Sequence, residues 1–287
     1  MKLGVVYPQI ELRGDPQAVR QIGTTVESLG YDYLLAYDHV LGATHDREPR
    51  LTGPYNERHP FHDPLVMFAH LAALTQRIEL VTGILILPQR QTVLVARQCA
   101  DLDLLSGGRL RLGVGIGWNY VEYDALGQSF RTRGRRVAEQ AMLLRRLWSE
   151  PLITFSGEFD HIERAALNPR PQRRIPIWFG GFSEAAYRRA AEIGDGFIFT
   201  GAAERAIEGW GRVEHHLREA GRAVSDFGKE LIVGRAEKSP EEVAARIEVC
   251  RQWGCTHVAV DTMGRGMASA DEHCRFIAEV RRLVPQQ

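Results

Sequence analysis

The feature that most constrains this chain is a rhythm. Short apolar strands alternate with helical segments eight times between residue 3 and residue 283. Strands are predicted at Leu3–Tyr7, Tyr33–Tyr37, Ile78–Leu87, Leu110–Gly115, Ile175–Phe179, Gly196–Thr200, Leu231–Arg235 and His257–Asp261. Helices are predicted at Asp15–Leu29, Asp63–Leu74, Thr92–Leu105, Arg131–Trp148, Ser183–Ile193, Ala203–Ala220, Pro240–Gly254 and Ala270–Leu283. Strands joined through helices run parallel, and eight such units close into a (β/α)8 TIM barrel. The competing fold is an open doubly wound sheet, which often carries GxGxxG after its first strand. Here that turn is Pro8–Gly14 and lacks the pattern, so an α/β TIM barrel is expected.

Local punctuation supports the helices. Asp15 and Asp63 precede prolines that suit a first helical position, Gly30 follows the first helix, and Ser239/Glu242 and Ser269/Glu272 have capping-box spacing. The rhythm breaks once. Residues 151–174 are rich in proline and hold a Ser156-Gly-Glu158 turn, which reads as a hairpin insertion. No linker or low-complexity tract appears, so residues 1–287 are expected to form one barrel domain.

Composition excludes several classes of function. Lys plus Arg and Asp plus Glu are 36 each, so no basic field exists to attract nucleic acid. No apolar run has membrane-spanning length, and the one opening the chain is too short for a signal peptide. Cys99, Cys250, Cys255 and Cys274 form no CxxC pair and read as reduced thiols, with a cytoplasmic location expected.

In a TIM barrel the C-terminal strand ends build the site. Here they are Tyr7-Pro8, Asp38-His39, Gly83–Gln89, Gly115–Asn119, Gly180–Ser183, Thr200-Gly201, Arg235 and Asp261. Few are acidic, which argues against a metal hydrolase, and no metal ligands are expected. His39 is of the residue type suited to proton handling, with Asp38 as a carboxylate that holds its tautomer. The plainer reading is a turn cap and a backbone-bonded imidazole. Gly83 interrupts a β-branched run, as at a bulge or a close approach of backbone to ligand. The strand end Gly113-Val-Gly-Ile-Gly-Trp-Asn119 has bare backbone on one side and an aromatic at its tip. Gly180 and Gly181 with Ser183 at a helix start suit a phosphate and equally suit an ordinary turn. His59 and His62 read as loop packing beside the Asp63 cap.

These segments together carry a resemblance. Tyr37–Val40, Thr82–Arg90, Ala96–Arg109, Gly113–Asn119 and Pro176–Ser183 resemble the luciferase-like monooxygenase superfamily, especially its F420-dependent (deazaflavin) oxidoreductases. The resemblance implies a non-prolyl cis peptide at Gly83–Ile84 behind the flavin-like ring, with Asp38 and His39 at the ring's polar edge. It places Gly115, Gly117, Trp118 and Asn119 around the same cavity, and Gly180, Gly181, Phe182 and Ser183 at the cofactor phosphate. It implies hydride transfer with a small organic substrate, and members often form homodimers. The sugar-phosphate dehydrogenases of this superfamily carry an acidic residue where Trp118 stands, so a sugar phosphate is not the expected substrate and an aromatic wall is. The alternatives are an FMN-dependent monooxygenase served by a separate reductase and a cofactor-binding protein without catalysis. A Schiff-base lyase would need a lysine at a strand end, and none is there.

Overall fold

Strands buried on both faces read as continuous apolar runs, and the barrel is built from them. The protein's structure is a computed structural model that describes residues 1–284. The elements run β1 (Lys2–Val6), α1 (Pro16–Ser28), β2 (Tyr33–Ala36), α2 (Pro64–Ala72), β3 (Glu79–Thr82), β4 (Leu85–Ile86), α3 (Thr92–Leu105), β5 (Leu110–Gly115) and α4 (Tyr120–Ala125). They continue with α5 (Arg133–Ser149), β6 (Ile153–Ser156), β7 (His161–Ala165), β8 (Ile177–Gly180), α6 (Glu184–Ile193), β9 (Gly196–Phe199), α7 (Ala203–Glu219), β10 (Gly228–Val233), α8 (Pro240–Gln252), β11 (His257–Asp261) and α9 (Ala270–Leu283).

All neighbours in the main sheet that are paired are parallel, in the order β3-β2-β1-β11-β10-β9-β8-β5-β4. The β3–β5 pairing closes the ring, and β3 and β4 occupy one barrel position on either side of Gly83-Ile84. The predicted strand 78–87 is therefore a broken one. The insertion is an antiparallel hairpin, β6 with β7.

The caps follow the sequence. Asp15 accepts from the Gln17 amide and Asp63 from those of Leu65 and Val66. Ser183 caps α6, and the Ser269–Glu272 box is complete. The Ser239 box is half formed, because the Glu242 carboxylate takes the Lys238 amide instead of that of Ser239. The four cysteines are free, and Cys255 lies in the turn before β11 rather than on a helix or strand.

Alternate strand residues face the helices or the barrel interior. The interior cluster comprises Val6, Tyr33, Leu35, Val81, Trp178, Ile198, Ile232, Ala259 and Met263. At the N-terminal end it holds a charge. The Arg111 guanidinium lies 4.8 Å from the Tyr33 ring centroid and 4.3 Å from that of Trp178. It pairs with Glu230 at 2.5 Å, and the Tyr33 hydroxyl donates to the same carboxylate at 2.7 Å. A Cβ at Gly4 would overlap the Tyr33 ring, and one at Gly196 or Gly228 would overlap Trp178. These glycines are what admits two large rings and an arginine to so narrow a space.

Candidate active site

The C-terminal end of the same barrel is open. A cavity of about 280 Å³ is lined by Tyr37, Asp38, His39, Pro54, Tyr55, Gly83, Ile84, Ile86, Gly117, Trp118, Phe182, Thr200 and Arg235. It draws on β2, the β3/β4 break, β5, β8, β9 and β10, as expected for a barrel site. A larger cleft of about 700 Å³ lies before β8, lined by Arg145, Arg170, Arg173 and Arg174. It sits at the opposite strand ends, and Arg145, Arg173 and Arg174 are paired with Asp195 or Asp103.

The cavity floor is Ile84. The Gly83–Ile84 peptide is cis. A Cβ on Gly115 would come within 2.6 Å of Ile84 Cδ1, and one on Gly180 within 2.9 Å of Ile84 Cγ2. Gly117 has φ +60 and faces Ile86. Gly115 and Gly180 thus give their space to Ile84, which corrects the picture of bare backbone waiting for a ligand. Ile84 can lie flat across the barrel mouth because of them.

His39 stands at the polar edge. Its ring meets Tyr55, Phe61 and Trp118 edge-on at 5.3, 4.9 and 5.5 Å. Its Nδ1 is 3.1 Å from Glu122 Oε1, and Glu122 also accepts from the amides of Val40 and Leu41 and from Gln89 Nε2. Burial pushes the Glu122 carboxyl up, but the hydrogen bond from His39, its charge, Gln89 and the Leu41 amide outweigh this, and it lies below the usual range. An ionised Glu122 accepts from a proton on Nδ1, which leaves Nε2 without a hydrogen-bond partner among the described residues.

Asp38 has another role than the expected one. It accepts from Arg90 Nη2 at 2.7 Å and from the Ile86 amide at 2.8 Å. It fixes the strand break, and the carboxylate that orients His39 is Glu122. Asn119 is likewise corrected. It is buried, caps α4 through the Val121 amide and donates to Leu41 O, so it supports the wall from outside the cavity. Gly181 and Ser183 lie outward of the cavity lining at the start of α6, where Ser183 takes the Ala186 amide as a cap. Phe182 reaches the lining while remaining exposed.

Glu122 is the residue that sequence reasoning missed. Its signal was present, since Asn119-Tyr-Val-Glu122 has the spacing of an N-cap followed by a glutamate. Recognising α4 would have placed Glu122 within it. The segment between β2 and α2 contains no helix or strand. It covers the cavity through Pro54 and Tyr55, and Gly53 packs under Trp118.

A family model described as luciferase-like monooxygenase matches residues 3–234. An uncharacterized protein of Mycobacterium tuberculosis (strain ATCC 25618 / H37Rv) is 31% identical over 207 residues, covering 70% of this chain and 72% of that protein. The FMNH(2)-dependent dimethylsulfone monooxygenase of Pseudomonas fluorescens (strain Pf0-1) is 31% identical over 211 residues, covering 71% of this chain and 54% of that enzyme. An F420-dependent secondary alcohol dehydrogenase, solved with an F420-acetone adduct, superposes with a TM-score of 0.81 at 18% identity, covering 99% of both chains. The F420-dependent glucose-6-phosphate dehydrogenase of Kineococcus radiotolerans (strain ATCC BAA-149 / DSM 14245 / SRS30216) is 34% identical over 140 residues, covering 47% of this chain and 41% of that enzyme, so the relatives include F420-dependent and FMNH(2)-dependent enzymes. No helix among the described residues is long and apolar enough to cross a membrane.

Proposed function

Given that the chain belongs to the luciferase-like monooxygenase family, we propose that it is an oxidoreductase moving a hydride between coenzyme F420 and a small organic substrate at the C-terminal face of its barrel. The observation that carries this reading is His39, a cavity residue whose Nδ1 is engaged by a buried carboxylate and whose Nε2 makes no hydrogen bond with the described residues. Such a nitrogen suits a hydrogen bond to an electron-rich ring edge or a proton hand-off at the substrate.

The residues present fit the ring of such a cofactor. Ile84, Ile86, Trp118 and Phe182 supply apolar walls, and His39 and Thr200 supply polar contacts. The volume is below the about 300–1,000 Å³ of sites that enclose a whole ligand. It suits a ring system whose tail leaves past Phe182 toward Gly180, Gly181 and Ser183 at the start of α6. A bound deazaflavin would supply the hydride acceptor or donor. Ile84 would back the ring, Asp38 would hold the Ile84–Ile86 segment in place, and Tyr55 and Trp118 would exclude water. Glu122 would keep the His39 proton on Nδ1. Residues 1–287 act as one domain in this reading, in the cytoplasm and as a homodimer.

A second reading, an FMN-dependent monooxygenase with a separate reductase, is favoured by the FMNH(2)-dependent relative at 31% identity. Titrating the apoprotein with oxidised F420, reduced F420 and FMN separates the two. We expect F420 to bind tighter than FMN by at least about tenfold, or about 1.4 kcal/mol. Preferential FMN binding would overturn the cofactor assignment, and binding of neither would overturn the function.

A further inference from the structure

One charged side chain of the cavity has no part in holding a ring. Arg235 follows β10 and lines both the 280 Å³ cavity and a second one of about 510 Å³. The second cavity lies between the loops after β9 and β10, and the two share Thr200 and Arg235. Arg235 therefore stands at their junction.

Arg235 is held from behind. Its Nε donates to Asp261 Oδ2 at 2.6 Å, and its guanidinium lies 5.9 Å from the Tyr37 ring centroid. Asp261 is fully buried and also accepts from the Tyr37 hydroxyl and the Met263 amide. On the open side, Nη2 donates to the Tyr55 hydroxyl at 2.9 Å, and Nη1 makes no hydrogen bond with the described residues. The side chain is 45% exposed. Of the acidic neighbours, Asp261 is occupied as described, Glu237 takes Arg246 and the Gly234 amide, Glu11 takes the Gly264 amide through Oε1, and Glu204 lines the second cavity with an exposed side chain. A strap that only closed the loop over the barrel would need Nη2 alone. A fixed fork with its second donor open, between a ring-sized cavity and a larger one, has the geometry of a carboxylate anchor.

We propose that Arg235 binds a carboxylate of the substrate, which lies in the second cavity with its reacting carbon turned toward the ring site; this rests on the function proposed above. Tyr55 holds Nη2 in the absence of substrate and yields it on binding, so the carboxylate is met by two donors. The substrate class is accordingly a small organic acid.

The test compares benzoate and butyrate with benzamide and butyramide, by calorimetric titration of both the apoprotein and the F420-loaded protein. The acids are expected to bind at least about tenfold tighter than the amides. Arg235→Met is expected to remove that preference while F420 affinity stays within about twofold, and Arg235→Lys to restore part of it. Equal binding of acids and amides by the unaltered protein, or no binding of either class at millimolar concentration, overturns the proposal, as does a preference that survives Arg235→Met. The acid–amide comparison needs no variant, so misfolding of Arg235→Met does not remove the test. Failure of the function shows separately, as loss of F420 and FMN binding while the apoprotein still prefers acids.

Discussion

The two ends of this barrel use the same residue type to opposite effect. At the N-terminal end, Gly4, Gly196 and Gly228 make room for Tyr33 and Trp178, which sandwich Arg111 and fill the interior. At the C-terminal end, Gly115 and Gly180 make room for Ile84, and the space above it stays open. Glycine marks a close approach in both cases. What approaches decides whether the result is a plug that stabilises or a floor that leaves a site.

The comparison predicts that changes at the closed end cost global stability, whereas changes around the open cavity cost binding, turnover or the order of the loop above it. The largest effect is expected for Arg111→Ala. It strands Glu230 in the interior without its cation, and loss of one partner of a buried pair costs about 3–5 kcal/mol. Urea unfolding should show this, while the fraction still folded binds cofactor normally. Adding Glu230→Gln should recover part of the loss.

Next comes acid sensitivity from His273, which lies in the first turn of α9 and is buried against the loop after β11, with Nδ1 2.7 Å from Thr262 Oγ1. Burial lowers its pKa from 6.5 to about 4. The unfolded chain therefore takes up this proton first as pH falls. The contribution is fully present above about pH 6.5 and is lost between there and about pH 4, amounting to roughly 3 kcal/mol at most. His273→Gln should flatten the pH dependence of the urea midpoint in that window. An unchanged slope would contradict the assignment.

Glu122→Gln tests the open end. The amide keeps the volume but no longer requires a proton on Nδ1 of His39, and turnover should fall by about a hundredfold. The fall should be in kcat with cofactor affinity little changed, and the pH profile should shift. Tyr55→Phe has the smallest expected effect. It removes one hydrogen bond to Arg235, worth about 1 kcal/mol, and should appear as faster amide exchange across residues 42–63.

Much of this architecture was legible in the sequence because it rests on periodicity. Strand alternation, helix caps at Asp15, Asp63 and Ser269, and the 151–174 insertion all follow local rules, and the structure has them. The cavity of the candidate site was legible as a set of strand ends. Asp38, His39, Gly83, Ile84, Gly117, Trp118 and Phe182 do converge on one cavity. The partners were not legible. Asp38 pairs with Arg90, 52 residues away, and His39 with Glu122, 83 residues away. Neighbours in sequence at a strand end point to opposite faces, so the adjacent carboxylate was the wrong one to pair with His39. Nor can a sequence tell a glycine that admits a side chain from one that admits a ligand. The broken strand at Gly83-Ile84 shows the same limit, since its register is set by Asp38 and β5.

The most direct measurement of this account is the affinity of F420 for the double variant Gly115→Ala/Gly180→Ala. Neither position has a positive φ, so the backbone tolerates alanine, and the new methyl groups collide with Ile84 alone at under 3 Å. Overpacking of this kind costs about 1–3 kcal/mol. The account predicts that Ile84 is pushed into the cavity, that F420 binds at least about tenfold weaker, and that adding Ile84→Ala restores binding. Unchanged affinity in the double variant, or a loss that Ile84→Ala does not relieve, would contradict it.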